Sequence, residues 1–216
     1  MKHLLRLLIA SAVVGLSLNV SAQTGNASAG EKKAAMCIGC HGIPDYKASF
    51  PEIYRVPMIA GQGAKYISAA LAQYKKGDRK HPTMRGIAAS LSDQDMADLA
   101  AFYSTEAKSE PAPAALAEPS AEVAGLLKKG NCESCHGKNF SAPIDPTYPK
   151  LAGQHADYLY AALKEYQVDK NPQVGRNNAI MGGMARLLSH AEAKQVAAYI
   201  ASLPGELKTV PQARFR

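Results

Sequence analysis

The chain has 216 residues, of which 47% are hydrophobic and 20% are charged, and 25 basic residues against 18 acidic ones give a formal net charge of +7. The basic residues are spread in short runs such as KKGDRK at 75–80. The sequence therefore lacks the concentrated basic face of a nucleic-acid-binding protein, and we predict no nucleic-acid partner.

Residues 1–22 have the parts of a secretory signal peptide. Lys2 and Arg6 precede an apolar stretch, and VSA at 20–22 fits the small-residue pattern at which such peptides are cleaved. The alternative is an uncleaved membrane anchor, but the apolar stretch falls short of the ~20 residues that a transmembrane helix needs. We expect an exported, soluble mature chain that starts at Gln23, lies in the periplasm and has no transmembrane segment.

The next part of the chain, residues 23–104, is predicted to form a small helical domain. GEKKAAMC predicts a short helix that leads into a CIGCH motif. GAKYISAALAQYKKG predicts a second helix that ends at Gly77, because glycine readily adopts the conformation of a helix C-cap. Ser92 and Asp95 have the spacing of a capping box, which marks the start of a last helix.

A linker and a second copy of the same unit follow. Residues 105–120 are rich in Pro, Ala and Glu, which is typical of a semi-rigid exposed linker. In residues 121–216, PKLAGQHADYLYAALKEYQVD matches PMIAGQGAKYISAALAQYKKG of the first copy position for position, and a second capping box follows at Ser189. No stretch alternates as a β-strand, so the predicted fold class is all-α.

Both copies contain a Cys-x-x-Cys-His motif, and together the motifs hold all four cysteines: Cys37, Cys40 and His41, and Cys132, Cys135 and His136. This is the attachment signature of c-type haem, in which two thiols form thioethers and the histidine ligates the iron. A zinc site would need cysteine pairs ~15–20 residues apart, and the two pairs here are much farther apart. A thioredoxin-like redox pair would accompany a βαβ pattern, which the sequence does not show. The sequence therefore predicts two covalently bound haem c groups, and a haem-free chain that folds poorly.

The repeat also selects candidate sixth ligands, because thioether sulfur is a suitable axial ligand for a histidine-bound haem. Met84 and Met181 pair with each other in the repeat, and each lies seven residues before a Leu-Ser at the last helix. We expect them to ligate the two irons from equivalent loops, with His81 as a nearby competitor of Met84. The methionines without a repeat partner are expected to fill the core: Met36, Met58, Met96 and Met184. The unrepeated histidines are expected at the surface: His81, His155 and His190.

These segments resemble the dihaem class I cytochromes c, most closely the cytochrome c4 family. The resemblance covers nearly the whole mature chain and rests on the paired CxxCHG, PxxAGQ and MxGxAxxLS segments. It implies two tandem cytochrome c domains related by a pseudo-twofold axis, each with one His/Met haem. It also implies that the Pro57 and Pro149 carbonyls orient the axial imidazoles. Four further side chains are expected either at the haem edge or in packing: Gln62, Gln154, Tyr66 and Tyr158. The second copy departs from the first by five extra residues around NPQVG.

A haem iron with two protein ligands moves electrons and has no free position for a substrate. We therefore predict a dihaem electron carrier, not an enzyme. By resemblance, its redox partners are a quinol-oxidising complex as donor and a terminal oxidase or reductase as acceptor, and any membrane association is peripheral and occurs through them. One alternative is the dihaem subunit of a dehydrogenase, such as a flavocytochrome sulfide dehydrogenase. A more distant one is a dihaem peroxidase, which needs one iron with an open position.

Overall fold

The computed structural model describes residues 24–107 and 118–211, named domain 1 and domain 2 below. Within them the chain forms ten helices and two very short strands: α1 (Ala27–Lys33), α2 (Ala35–His41), β1 (Lys47–Ala48), β2 (Tyr54–Arg55), α3 (Ala64–Lys76), α4 (Pro82–Ala89), α5 (Asp93–Glu106), α6 (Ala121–Lys129), α7 (Cys132–His136), α8 (Ala156–Gln167), α9 (Ala179–Ala185) and α10 (His190–Ser202). The predicted signal peptide lies outside the described residues, as does most of the predicted linker. The predicted domain limits, 23–104 and 121–216, stay a prediction.

The helix ends follow the local signals in the sequence. Ser92 and Ser189 each cap a last helix through a full capping box, in which side chain and backbone bond reciprocally. Gly77 ends α3 with a φ of 91°, a left-handed conformation that glycine adopts without strain. These predicted boundaries are confirmed.

The all-α prediction is confirmed, with one small addition. Lys47 pairs with Arg55, and Ala48 pairs with Tyr54, in an antiparallel hairpin of two-residue strands. Two residues are too few for an alternating pattern to be recognised in the sequence, so the hairpin was missed.

Each domain has its own apolar core. In domain 1 the helices α1 and α3 pack on α5, and in domain 2 the helices α6 and α8 pack on α10. The domain 1 core consists of Ala34, Ile38, Ala60, Ile67, Leu91, Met96, Leu99, Ala100 and Tyr103. The domain 2 core consists of Leu126, Leu127, Phe140, Ala152, Leu159, Leu188, Ala193, Val196, Ala197, Ile200 and Leu203. The chain is therefore two tandem helical domains.

Two short backbone segments meet on the pseudo-twofold axis. Arg79 lies opposite Arg176 in an antiparallel bridge. The Lys80 N–H donates to the Gly175 carbonyl at 2.8 Å, and the Asn177 N–H donates to the Asp78 carbonyl at 2.6 Å. The two bonds involve equivalent positions of the repeat, so each is the twofold image of the other.

A pair of buried glutamines repeats the same symmetry. The Gln62 side chain accepts from the Lys150 N–H and donates to the Lys150 carbonyl, both at 2.9 Å. The Gln154 side chain accepts from the Met58 N–H at 3.1 Å and donates to the Met58 carbonyl at 2.9 Å. Each glutamine therefore docks on the backbone just before the AGQ segment of the other domain, which is a packing role, and both glutamines also border the cavity described below.

The surface of the interface carries ion pairs between the domains. Arg55 bonds Asp157, with Nε 3.1 Å from the carboxylate, and Lys164 Nζ lies 2.7 Å from the Glu52 carboxylate. Exposed or half-exposed pairs of this kind contribute little each, about 0–1 kcal/mol. The buried glutamine bonds are the stronger constraint on how the domains sit.

Among the described residues, none of the helices has the length and apolarity that crossing a membrane requires.

Candidate functional site

The predicted site residues line one cavity of about 610 Å³ between the two domains. Its wall is mainly apolar and includes equivalent side chains of the two copies, such as Ile67 and Leu159. All eight residues predicted to hold the two haems border it: Cys37, Cys40, His41, Met84, Cys132, Cys135, His136 and Met181. The two haem clefts are thus continuous across the interface.

The cysteines are positioned by two short helices, α2 and α7. None of the chain's four cysteines forms a disulfide. Burial raises the pKa of Cys37 and of Cys132 to about 11. A thioredoxin-like pair would need a thiol with a lowered pKa, which is the opposite of the direction found for Cys37 and Cys132. The described residues contain no group of three or more His, Cys, Asp or Glu side chains placed to hold a metal ion.

The two histidines are held in the same way in both domains. His41 Nδ1 lies 2.8 Å from the Pro57 carbonyl, and His136 Nδ1 lies 3.2 Å from the Pro149 carbonyl. A carbonyl only accepts, so Nδ1 carries the proton and Nε2 keeps its lone pair for a metal. Burial lowers the pKa of both imidazoles, partly offset by the bond to the carbonyl. Both histidines are therefore neutral at neutral pH, as an iron ligand must be.

The two methionines lie in helices rather than in the loops that we expected. Met84 is in the first turn of α4, where its N–H donates to His81 Nδ1 at 3.3 Å. Met181 is in the first turn of α9, where its N–H donates to Asn178 Oδ1 at 2.9 Å. A capping side chain and, in the first copy, Pro82 at the helix start are the local signals that could have indicated these helices.

The other methionines and His81 depart in part from expectation. Met96 is buried in the domain 1 core, as predicted. Met36, Met58 and Met184 instead border the cavity. His81 is half-buried and caps α4, so the expected surface role is wrong for this residue. It occupies the capping position that Asn178 takes in the second copy.

Sequence reasoning missed a pair of buried arginines at the cavity wall. Arg79 Nη2 donates to the Tyr66 hydroxyl at 3.1 Å, and Arg176 Nη2 donates to the Tyr158 hydroxyl at 3.3 Å. The guanidinium groups stack on tyrosine rings of their own domain. The repeat could have indicated these arginines, because each one lies five residues before the methionine of its copy.

The residues present fit one haem c in each domain. Each copy supplies two free thiols, a neutral histidine with an oriented ring, an apolar wall and a methionine facing the same cavity. The bound group supplies one-electron chemistry, and the protein supplies its position, its ligands and its electrostatic surroundings.

Comparison with known proteins agrees with this geometry. The cytochrome c family profile matches residues 27–105 and 120–204. A cytochrome c4 of Azotobacter vinelandii is 32% identical over 219 residues, covering 94% of this chain and 99% of that protein. A thiosulfate dehydrogenase electron acceptor of Stutzerimonas stutzeri is 32% identical over 207 residues, covering 88% and 92%. The crystal structure of reduced cytochrome c4 from Pseudomonas stutzeri matches with a TM-score of 0.59 at 28% identity, covering 84% of this chain and all of that one.

Proposed function

The chain belongs to the cytochrome c family, as a dihaem electron-transfer protein of the cytochrome c4 type, and from that premise we propose that it is a soluble periplasmic carrier in respiration. Two cytochrome c domains each bind one covalent haem c. The observation that carries the proposal is the duplicated ligand set. In each domain a histidine bonded to a proline carbonyl and a methionine in the first turn of a capped helix border one cavity.

We assign the site residues by domain. Haem 1 is attached through Cys37 and Cys40, with His41 and Met84 as iron ligands. Haem 2 is attached through the equivalent residues: Cys132 and Cys135, with His136 and Met181 as iron ligands. The equal placement of Met84 and Met181, each in a capped first turn, supports this choice over the unpaired methionines that border the cavity.

The same assignment favours a carrier over an enzyme. When two protein side chains ligate the iron, peroxide or another substrate has no free position. A dihaem peroxidase would need one site with a missing or movable ligand, but the two copies present equivalent ligands. The proposed role is therefore transfer of one electron per haem between redox proteins.

The ligand assignment is tested by spectroscopy on the mature holoprotein. We expect two haems per chain and a ferric sulfur-to-iron charge-transfer band in the far red. Met84→Ala and Met181→Ala should each remove about half of that band, since each removes one of two equivalent ligands. Met184→Leu is the matched control, because Met184 borders the cavity three residues from Met181 and should leave the band intact. Loss of the band in the control, or its survival in both alanine variants, would refute the assignment.

Two kinds of donor remain to be compared. A respiratory carrier is expected to be reduced fast by a quinol-oxidising complex and oxidised fast by a haem-copper terminal oxidase or a terminal reductase. Any membrane association would occur through those partners. The second candidate, acceptor for a dehydrogenase, is favoured by the likeness to a thiosulfate dehydrogenase electron acceptor. A flavocytochrome sulfide dehydrogenase partner belongs to the same class.

Stopped-flow reduction of the ferric holoprotein by each purified donor distinguishes the two candidates. Reduction that is fast only with the dehydrogenase would replace the respiratory assignment. Periplasmic location is tested by fractionation and by N-terminal sequencing, with Gln23 expected as the first residue. Recovery of a chain that retains residues 1–22 in the membrane fraction would contradict export as a soluble protein.

A further inference from the structure

A second, smaller pocket lies beside the haem cavity, where the two domains meet. It has a volume of about 180 Å³ and a mainly polar wall. Domain 1 contributes Gly77 and Lys80 to this wall, and domain 2 contributes Asp169, Lys170 and Arg186 among others. None of the residues assigned to the haems borders it. Pockets of ~300–1,000 Å³ hold drug-sized ligands, so this one suits a small ion.

One wall separates this pocket from the haem cavity. Tyr166, Arg176 and Asn178 border both spaces. The Arg176 guanidinium is paired with the Glu165 carboxylate at 2.6 Å, so it adds no net charge to the pocket. Asn178 caps the helix that carries Met181, because its Oδ1 accepts the Met181 N–H at 2.9 Å. The pocket is therefore a neighbour of the haem site and not a part of it.

The other charges at the pocket are mostly positive. Its wall carries three further cations, which are Lys80, Lys170 and Arg186, and one carboxylate, which is Asp169. In the described part of the chain, none of these four side chains takes part in an ion pair. Lys80 Nζ donates to the Asn171 carbonyl at 2.6 Å, which holds the ammonium across the domain boundary. The pocket therefore has more positive charge than its own carboxylate can neutralise.

Arg186 reaches the pocket because position 182 is a glycine. A Cβ added to Gly182 would lie 3.1 Å from Arg186 Nη1, so the guanidinium lies over this buried glycine of α9. In the first copy the two equivalent positions hold Arg85 and Ala89, and Arg85 is exposed. Lys170 adjoins the extra residues around NPQVG, which the first copy also lacks. The pocket is therefore a feature of the second copy that has no twofold image.

Three cations around a small polar pocket favour a compact anion with several oxygen atoms. Ammonium and guanidinium groups form charge-assisted hydrogen bonds with such oxygens, and a guanidinium can donate two at once. We propose that the pocket binds a tetrahedral oxyanion of the sulfate or phosphate class, held by Lys80, Lys170 and Arg186. Because these cations come from both domains, the bound anion links domain 1 to domain 2. The site is independent of which side chains ligate the irons.

The test is an NMR titration of the reduced holoprotein, in which sodium sulfate replaces sodium chloride at constant ionic strength so that general screening stays fixed. Phosphate and thiosulfate are titrated in the same way, to distinguish the members of the class. We expect at least one of the three anions to give saturable shifts of the backbone N–H signals of Gly77, Lys170 and Asn177, which border the pocket. Shifts that never saturate with any of the three would overturn the proposal.

Charge variants locate the site. Arg186→Gln and Lys170→Gln should each weaken the affinity for the anion severalfold, and Asp169→Asn should strengthen it. Lys170 and Asp169 lie in an exposed loop, so their variants keep the test decisive if Arg186→Gln folds poorly. Arg85→Gln is the matched control, because it removes an exposed arginine of α4 that does not border the pocket and should leave the affinity unchanged. An equal loss in this control, or unchanged affinity in Arg186→Gln and Lys170→Gln, would overturn the proposal.

Discussion

Gly30 and Gly125 occupy equivalent positions of the repeat, but only Gly30 lies in a close helix contact. A Cβ added to Gly30 would lie 2.0 Å from the Asp98 carbonyl oxygen and 2.8 Å from the Phe102 Cβ, both on α5. A Cβ added to Gly125 on α6 would meet no atom within 4 Å. Because the nearest atom to Gly30 belongs to the backbone, the clash cannot be relieved by a side-chain rotation.

The two alanine substitutions therefore separate a packing cost from a helix-propensity gain. Alanine gains about 1 kcal/mol over glycine in a helix interior, and this gain applies at both positions. At Gly30 the overpacked contact costs about 1–3 kcal/mol, since α1 must move away from α5. Gly30→Ala should therefore be neutral or destabilising by up to about 2 kcal/mol, and Gly125→Ala should stabilise by up to about 1 kcal/mol.

Urea unfolding of the two holoproteins, followed by far-UV circular dichroism, measures the difference in the free energy of unfolding. The propensity gain cancels in this comparison, so a separation of about 1–3 kcal/mol is the overpacking cost alone. Equal shifts of the unfolding midpoint in the two variants would mean that α1 and α5 are not in close contact, and the account of the domain 1 core would be wrong.

Two further predictions concern polar groups that hold the structure together. The Lys33 ammonium and the Asn26 N–H lower the pKa of Asp98 to about 2 from the ordinary 3.8, so its stabilising effect is complete above about pH 4 and is lost as the pH falls toward 2. The urea midpoint should fall less steeply across that range in Asp98→Asn than in the wild type, and parallel curves would contradict the pairing. Gln62→Ala removes two buried bonds to the domain 2 backbone and should lower the free energy of unfolding by about 1–3 kcal/mol, measured in urea. Gln154→Ala should have a matching effect, and losses below about 0.5 kcal/mol in both would show that the glutamines do not lock the interface.

The parts of the fold that depend on neighbouring residues were predictable from the sequence. Capping boxes, a C-cap glycine and the CxxCH motifs act over a few residues, and the structure contains them where the sequence predicts them. The repeat added information that local patterns lack, because a residue needed twice stands out from one present once. It singled out Met84 and Met181 in this way, and both border the cavity.

The interface could not be predicted, because its contacts join residues far apart in the chain. Nothing near Gln62 indicates that its partner is the backbone of Lys150, 88 residues away. The role of Arg79 was also hidden, because a charged residue in the run KKGDRK is usually solvated. Its burial depends on tyrosine rings from α3 and on the segment of domain 2 that pairs with it.

Two departures from symmetry in the second copy join the two domains. The five-residue insertion places the Asn171 carbonyl 2.6 Å from Lys80 Nζ of domain 1. After α10 the chain returns to domain 1, where the Lys208 N–H donates to the Ala60 carbonyl at 3.0 Å and Val210 packs against the apolar core. The twofold contacts alone would also allow two separate copies of one domain to pair. The insertion and the final segment exist once, so they bind the two domains of one chain in a single arrangement and keep the two haem clefts continuous.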